Sequence, residues 1–258
     1  MKKIITLALL ILSFSAFANP IDVSCKQLTY KSAPVVVNAD QYVCHTQYAL
    51  AYSWTTRNPI YTTEFLSKDH TGGEARTNDF RVDPAIDDRH QAKPKDYHKN
   101  TGCGGERCDQ GHMTPDQDFS ACAVCVSESF FQDNMVPQHF KNNEVIWKGM
   151  EVKIRGYAAN HPAGVYVITG PAYNSQTTPT ATIGDGNIWV PDNLFKIMID
   201  ASTGKSIAFY MPNSEQKDLS KFVVSISVIE AATGIKFDSS LDKKSVADFN
   251  EFVAQSKK

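Results

Sequence analysis

The sequence predicts a mixed α+β fold built around a mainly antiparallel sheet. Short runs rich in β-branched and aromatic residues recur between Gly, Asn and Ser turn signals. One internal segment carries helical spacing, and Ser202-Thr203-Gly204 offers a hairpin turn between two apolar runs. Hydrophobic residues make up 42% of the chain and charged residues 21%, which fits a packed core and excludes wholesale disorder.

The chain opens on a targeting signal. Lys2 and Lys3 precede an apolar run from Ile4 to Phe14, and Ala16-Phe17-Ala18 forms a small-x-small cleavage site. Residues 1–18 are therefore expected to be a signal peptide, with residues 19–258 forming one domain that begins with a small cysteine-tied piece. The apolar run is too short to span a bilayer, and no later stretch is long enough. The expected destination is outside the cytoplasm, in a periplasm or the medium, with no membrane part in the mature form.

All six cysteines, Cys25, Cys44, Cys103, Cys108, Cys122 and Cys125, lie beyond the cleavage site. An even count in an oxidising compartment points to disulfides. Proximity favours Cys25–Cys44 and Cys103–Cys108, leaving Cys122 and Cys125. A thiolate zinc site on the same residues, or a redox Cys-x-x-Cys, are alternatives that export and the surrounding pattern disfavour.

Ala49 to Thr56 and Ile60 to Phe65 read as strands, and residues 66 to 110 as a long polar loop. A helix is predicted over residues 138–151, with Asn143, Trp147 and Glu151 at i, i+4 and i+8 on one side. Gly164 to Gly170, Ile188 to Val190, Phe195 to Asp200 and Ser206 to Tyr210 read as further strands. Phe222 to Ala232 reads as a strand entering a helix ended by Gly234, and Ser245 to Ala254 as a terminal helix.

The net charge of −2 is the wrong sign for a general phosphate binder, and without Lys2 and Lys3 it becomes more negative. One basic run, Arg89, His90, Lys93, Lys95, His98 and Lys99, stands out, although a solvated loop of this kind is commonplace. It precedes Asp109-Gln110-Gly111-His112. A neutral imidazole at His112 can take a proton from water. Asn143 offers an amide oxygen suited to magnesium, a hard ion that keeps most of its waters. Glu151, about 12 Å along the helix from Asn143, is better placed to hold a metal-bound water than the same ion. Taken singly, His112 reads as a satisfied core histidine, Trp147 as packing, and Asn134 and Asn143 as caps or turn formers.

Taken together these residues resemble the DNA/RNA non-specific endonuclease family, the ββα-metal nucleases. The family's Asp-Arg-Gly-His motif matches Asp109-Gln110-Gly111-His112, and its Asn-x-x-Pro-Gln segment matches Asn134 to Gln138. The metal-binding Asn maps onto Asn143, and the following Trp and Glu onto Trp147 and Glu151. The resemblance runs from about residue 50 to 240 and places a ββα-metal motif in the sheet fold. It implies an endonuclease for DNA and RNA, dependent on Mg2+ or another divalent ion such as Mn2+. Substrate would be gripped through its phosphate backbone. His112 would act as general base, Asn143 as metal ligand, Asn134 and Glu151 as supports, and products would carry 5′-phosphates. An arginine near the phosphate is assigned to Arg81.

Gln110 stands where the family carries arginine. It donates hydrogen bonds but no charge, so Arg107 or a lysine of the basic loop is the expected substitute. Disulfides within the stretch from Cys103 to Cys125 are expected to rigidify the loops that present His112. Competing readings are a phosphodiesterase for small phosphoesters, a non-catalytic nucleic-acid-binding homologue, and a disulfide-rich structural or redox protein. Oligomeric state is not legible.

Overall fold

The computed structural model describes residues 19–257, so the expected signal peptide lies outside the described residues. A seven-stranded antiparallel sheet organises the chain. Its strands, in chain order, are β1 (Gln41–Cys44), β2 (Tyr48–Ser53), β3 (Asn58–Leu66), β6 (Val165–Ala172), β9 (Asn193–Asp200), β10 (Ser206–Pro212) and β11 (Val223–Val224). They lie side by side in that same order. β4 (Cys108–His112) and β5 (Met135–His139) form a separate two-stranded ladder, as do β7 (Thr182–Ile183) and β8 (Ile188–Trp189).

Side chains alternate across a strand, so one sheet can serve two cores. On one face Leu66, Val165, Val167, Met198, Ile207 and Phe209 pack against α3 (Lys148–Asn160) and α5 (Phe249–Gln255). On the other, Ala49, Ala51, Ile168, Ile197, Ile199 and Ala208 pack against α1 (Pro20–Ser24) and α4 (Ile226–Thr233). A strand covered on both faces reads as a continuous apolar run, and β9 does: Leu194 and Met198 face one core, Phe195, Ile197 and Ile199 the other. Lys196 is the exception. It is buried among the first set, with Nζ donating to Met113 O at 3.1 Å and Thr169 Oγ1 at 2.7 Å.

The expected helix over 138–151 starts later. Gln138 and His139 belong to β5, and residues 142–147 form a π-helical segment that runs into α3. In that segment the Lys148 N–H reaches back five residues to Asn143 O. Such wide turns shift the phase of a helix and are common at functional sites. Gly234 ends α4 in the left-handed region, as its position past the last apolar residue predicts. The three cysteine pairs are Cys25–Cys44, Cys103–Cys108 and Cys122–Cys125. Among the described residues, no helix is long and apolar enough to cross a membrane.

Candidate active site

β4, β5 and the helical rod that follows give two strands and a helix in sequence. In the ladder Asp109 lies opposite Gln138 and His112 opposite Met135. The Cys103–Cys108 disulfide anchors the first residue of β4. A tight internal fit sets its position: a Cβ on Gly111 would lie 2.1 Å from Gln138 Oε1 and 2.5 Å from Gln138 Cβ. Gly111 is thus required by packing between the two strands. Gln138 itself donates to Asn142 Oδ1 at 2.8 Å.

The chain leaving β4 is held by Asn134. Its Oδ1 accepts from Thr114 N–H at 2.9 Å, and its Nδ2 donates to Thr114 O and Ser129 O, both at 2.8 Å. This side chain is fully buried and its polar atoms are committed, so Asn134 positions the loop and has nothing left for a substrate. It holds the loop, as a support of the site would.

His112 sits edge-on between Phe80 and Phe130, with ring centroids 5.7 and 4.9 Å away. It is 8% exposed, and its Nε2 has no hydrogen-bond partner. Burial pushes its pKa down to about 3, helped by the Arg76 cation, while Asp116 and the Gln110 backbone act in the other direction. The ring is therefore a neutral imidazole with an unused acceptor.

His112 shares a cleft with Arg76, Gln110, Asp116, Asn143, Lys148, Glu151 and Arg155. Asn143 donates from Nδ2 to Asp109 Oδ2 at 3.0 Å, and Arg107 Nε holds Asp109 Oδ1 at 2.9 Å. Gln110 Oε1 accepts from Gln132 Nε2 at 2.7 Å, which leaves the Gln110 amide as a donor. Glu151 has its pKa raised to about 7 by burial, opposed by Lys196 and Arg155. Behind it Arg155 Nη1 meets Asp118 Oδ1 at 2.6 Å, and Glu64 lies fully buried, its pKa raised by burial and by Asp118. Trp147 is buried under Lys196 Nζ, as a core residue.

The structure thus brings Gln110, His112, Asn143 and Glu151 together, and it separates Arg81 from them. The Arg81 guanidinium is bound to Asp79 Oδ2 at 2.7 Å and to Ser127 O at 2.9 Å, and it lies over Phe131. It does not line the cleft, and Arg76 does. The basic loop contributes nothing there either: Arg89 pairs with Asp87, Lys93 with Asp88 and Lys95 with Asp185. Arg76, Lys148 and Arg155 supply the cleft's cations and were missed. Arg155 was findable, since it lies four residues after Glu151 on the same helix face; Arg76 sits in a loop with no periodicity to read.

The described residues also include one group of convergent metal-ligand types, His45, Asp83 and Asp133. None of the three lines the His112 cleft.

A ββα unit presenting an imidazole and an amide to a cation-lined cleft defines a nuclease-like site. Comparison with known proteins gives the family: the model of the DNA/RNA non-specific endonucleases matches residues 26–244, and the chain belongs to that family. Mitochondrial nuclease EXOG of Danio rerio is 30% identical over 221 residues, covering 79% of this chain and 62% of that protein. Its Homo sapiens counterpart is 30% identical, covering 81% and 63%. Human mitochondrial endonuclease G is 28% identical, covering 74% and 67%. The match therefore spans under two thirds of the two EXOG relatives. A crystal structure of the EndoG/EndoGI complex shares the fold, with TM-score 0.71, 24% identity, and 86% of this chain and 93% of that one covered.

These relatives carry a mitochondrial designation, which overturns the expectation of export to a periplasm or the medium. The physical reason is that a charged start and a short apolar run are compositional marks, whereas the address is read by a receptor.

Proposed function

We propose that this chain hydrolyses phosphodiester bonds of DNA and RNA with His112 as general base and a divalent cation, magnesium or manganese, on Asn143. Residues 19–258 act as one nuclease unit, a reading supported by a sheet whose strands run from residue 41 to 224. The observation that carries the reading is that His112, whose buried Nε2 has no hydrogen-bond partner, lines a cleft shared with Asn143 and three cations.

Asn143 fits a cation. The carboxylate of Asp109 only accepts hydrogen bonds, so the amide nitrogen faces Asp109 and the amide oxygen is left as a hard ligand. When bound there, the ion supplies positive charge to the phosphate and the departing 3′ oxygen. Arg76, Lys148 and Arg155 grip the phosphate backbone. His112 Nε2 takes a proton from a water whose oxygen attacks phosphorus; the P–O3′ bond breaks, the 3′ oxygen takes a proton from solvent to leave as a hydroxyl, and a 5′-phosphate results. A phosphate paired with Arg76 removes one cause of the low His112 pKa, so substrate raises the basicity of the ring as it arrives.

Plasmid nicking tests this reading. Nicking is expected with magnesium and not with EDTA, and His112→Ala is expected to fall about 10²–10⁴-fold with its circular dichroism unchanged. A folded His112→Ala that nicks at the wild-type rate, or full activity in EDTA, would refute it. Comparing plasmid, RNA and a small phosphodiester separates the nuclease from a phosphodiesterase. Binding without cleavage marks the non-catalytic homologue.

A further inference from the structure

Away from the cleft, three segments converge on one point. His45 comes from the turn between β1 and β2, Asp83 from the long loop, and Asp133 from the 3₁₀ turn before Asn134. His45 Nε2 lies 2.8 Å from Asp133 Oδ2 and 3.6 Å from Asp83 Oδ2, and the three donor atoms lie within 4.8 Å of one another. The side chains are 7%, 2% and 0% exposed for His45, Asp83 and Asp133.

Two features are unexplained by protein contacts alone. Asp83 Oδ2 is buried, aimed at this point, and has no hydrogen-bond partner, although its other oxygen accepts from Ala85 N–H at 2.8 Å. Buried carboxylate oxygens are costly when left so. Second, two buried carboxylates face a single imidazole, and among the described residues neither has a Lys or Arg partner. While both carboxylates are ionised, even a protonated His45 leaves a net negative charge in a closed space. The His45 ring is held in plane between Tyr48 and Phe131, with centroids 4.4 and 5.3 Å away, so the donor direction is set in advance.

We infer that His45, Asp83 and Asp133 form a structural site for a zinc-class divalent cation, separate from the His112 cleft. One imidazole nitrogen and two carboxylate oxygens are ligands zinc takes, with water in the fourth position. Donor atoms around a tetrahedral zinc stand about 3.3 Å apart, close to the spacing seen. Magnesium is disfavoured by the nitrogen donor and the sparse oxygen set. The ion offsets the excess negative charge and gives Asp83 Oδ2 its partner. It also ties the disulfide-anchored start of the sheet to the turn that carries Asn134, hence to the loop behind His112.

The test uses the full chain stripped with EDTA and titrated with zinc by calorimetry, with bound metal counted by mass spectrometry. The Asn143→Ala variant is included so that the cleft cannot account for binding. One equivalent of zinc is expected in both proteins, with a rise in Tm of about 5 °C or more at a hundredfold excess over Kd. Cobalt in place of zinc should give visible d–d bands of a four-coordinate ion. Asp83→Asn, which changes little in shape, and His45→Ala should each weaken zinc binding about 100-fold. The inference fails if the stripped protein takes up no zinc, or if either variant binds as tightly as the wild type. None of these readouts depends on nuclease activity, so a failure here and a failure of the proposed reaction are told apart.

Discussion

The Asn143 amide nitrogen donates to Asp109 Oδ2 at 3.0 Å, and Asp109 is held from its other side by Arg107. This contact decides which end of the amide faces the cleft, because a carboxylate has no proton to give. Partners that orient a metal ligand are worth about 10–100-fold in metal affinity. Asp109→Ala is expected to raise by that factor the magnesium concentration giving half-maximal nicking, with the fold intact. An unchanged magnesium requirement would show that Asp109 does not orient the ligand.

Gly111→Ala tests the fit between β4 and β5. The new methyl meets Gln138, which cannot withdraw because Asn142 holds it, and Asn142 is in turn bound to Pro212 O and Ser214 O. Overpacking of this kind costs about 1–3 kcal/mol. Urea denaturation should show that loss, and adding Gln138→Ala should recover part of it. A Gly111→Ala protein as stable as the wild type would mean that the strands yield.

Asn134→Ala strips partners from Thr114 N–H, Thr114 O and Ser129 O. Each buried group left unsatisfied costs about 1–3 kcal/mol, so a total of about 3 kcal/mol or more is expected in chemical denaturation. Because the side chain has no free polar atom to lend, the magnesium requirement of the folded variant should not move. A changed requirement at unchanged stability would show that Asn134 acts on the metal or substrate directly.

Glu151 carries a pH dependence with a definite sign. Burial lifts its pKa from 4.5 to about 7 in the folded chain. The folded state thus holds the proton more tightly than the unfolded state. The resulting stability is complete below about pH 4 and is lost as pH rises through 7. Glu151→Gln stays neutral throughout, so it should gain on the wild type between pH 5 and 8, by up to about 3 kcal/mol. Denaturation midpoints at pH 4, 6 and 8 check this; a constant difference between the two proteins would contradict it.

Local pattern made much of this protein legible. Strand runs such as Phe195 to Asp200 and the stop at Gly234 are written in neighbouring residues, because alternation, helical spacing and turn chemistry act over a few positions. That His112 and Asn143 share one cleft was legible for a similar reason: motif spacing within one strand–strand–helix unit survives in the chain order. The boundary at Gln138 was not, since a short apolar stretch suits strand and helix equally and the ladder with Asp109 settled it. Tertiary structure alone put Arg76 rather than Arg81 in the cleft, paired Arg89, Lys93 and Lys95 with carboxylates, and turned Asn134 inward. It also gathered His45 and Asp133, 88 residues apart, around Asp83. Those outcomes depend on which distant charges and carbonyls a side chain meets after folding, and sequence spacing holds no record of such meetings.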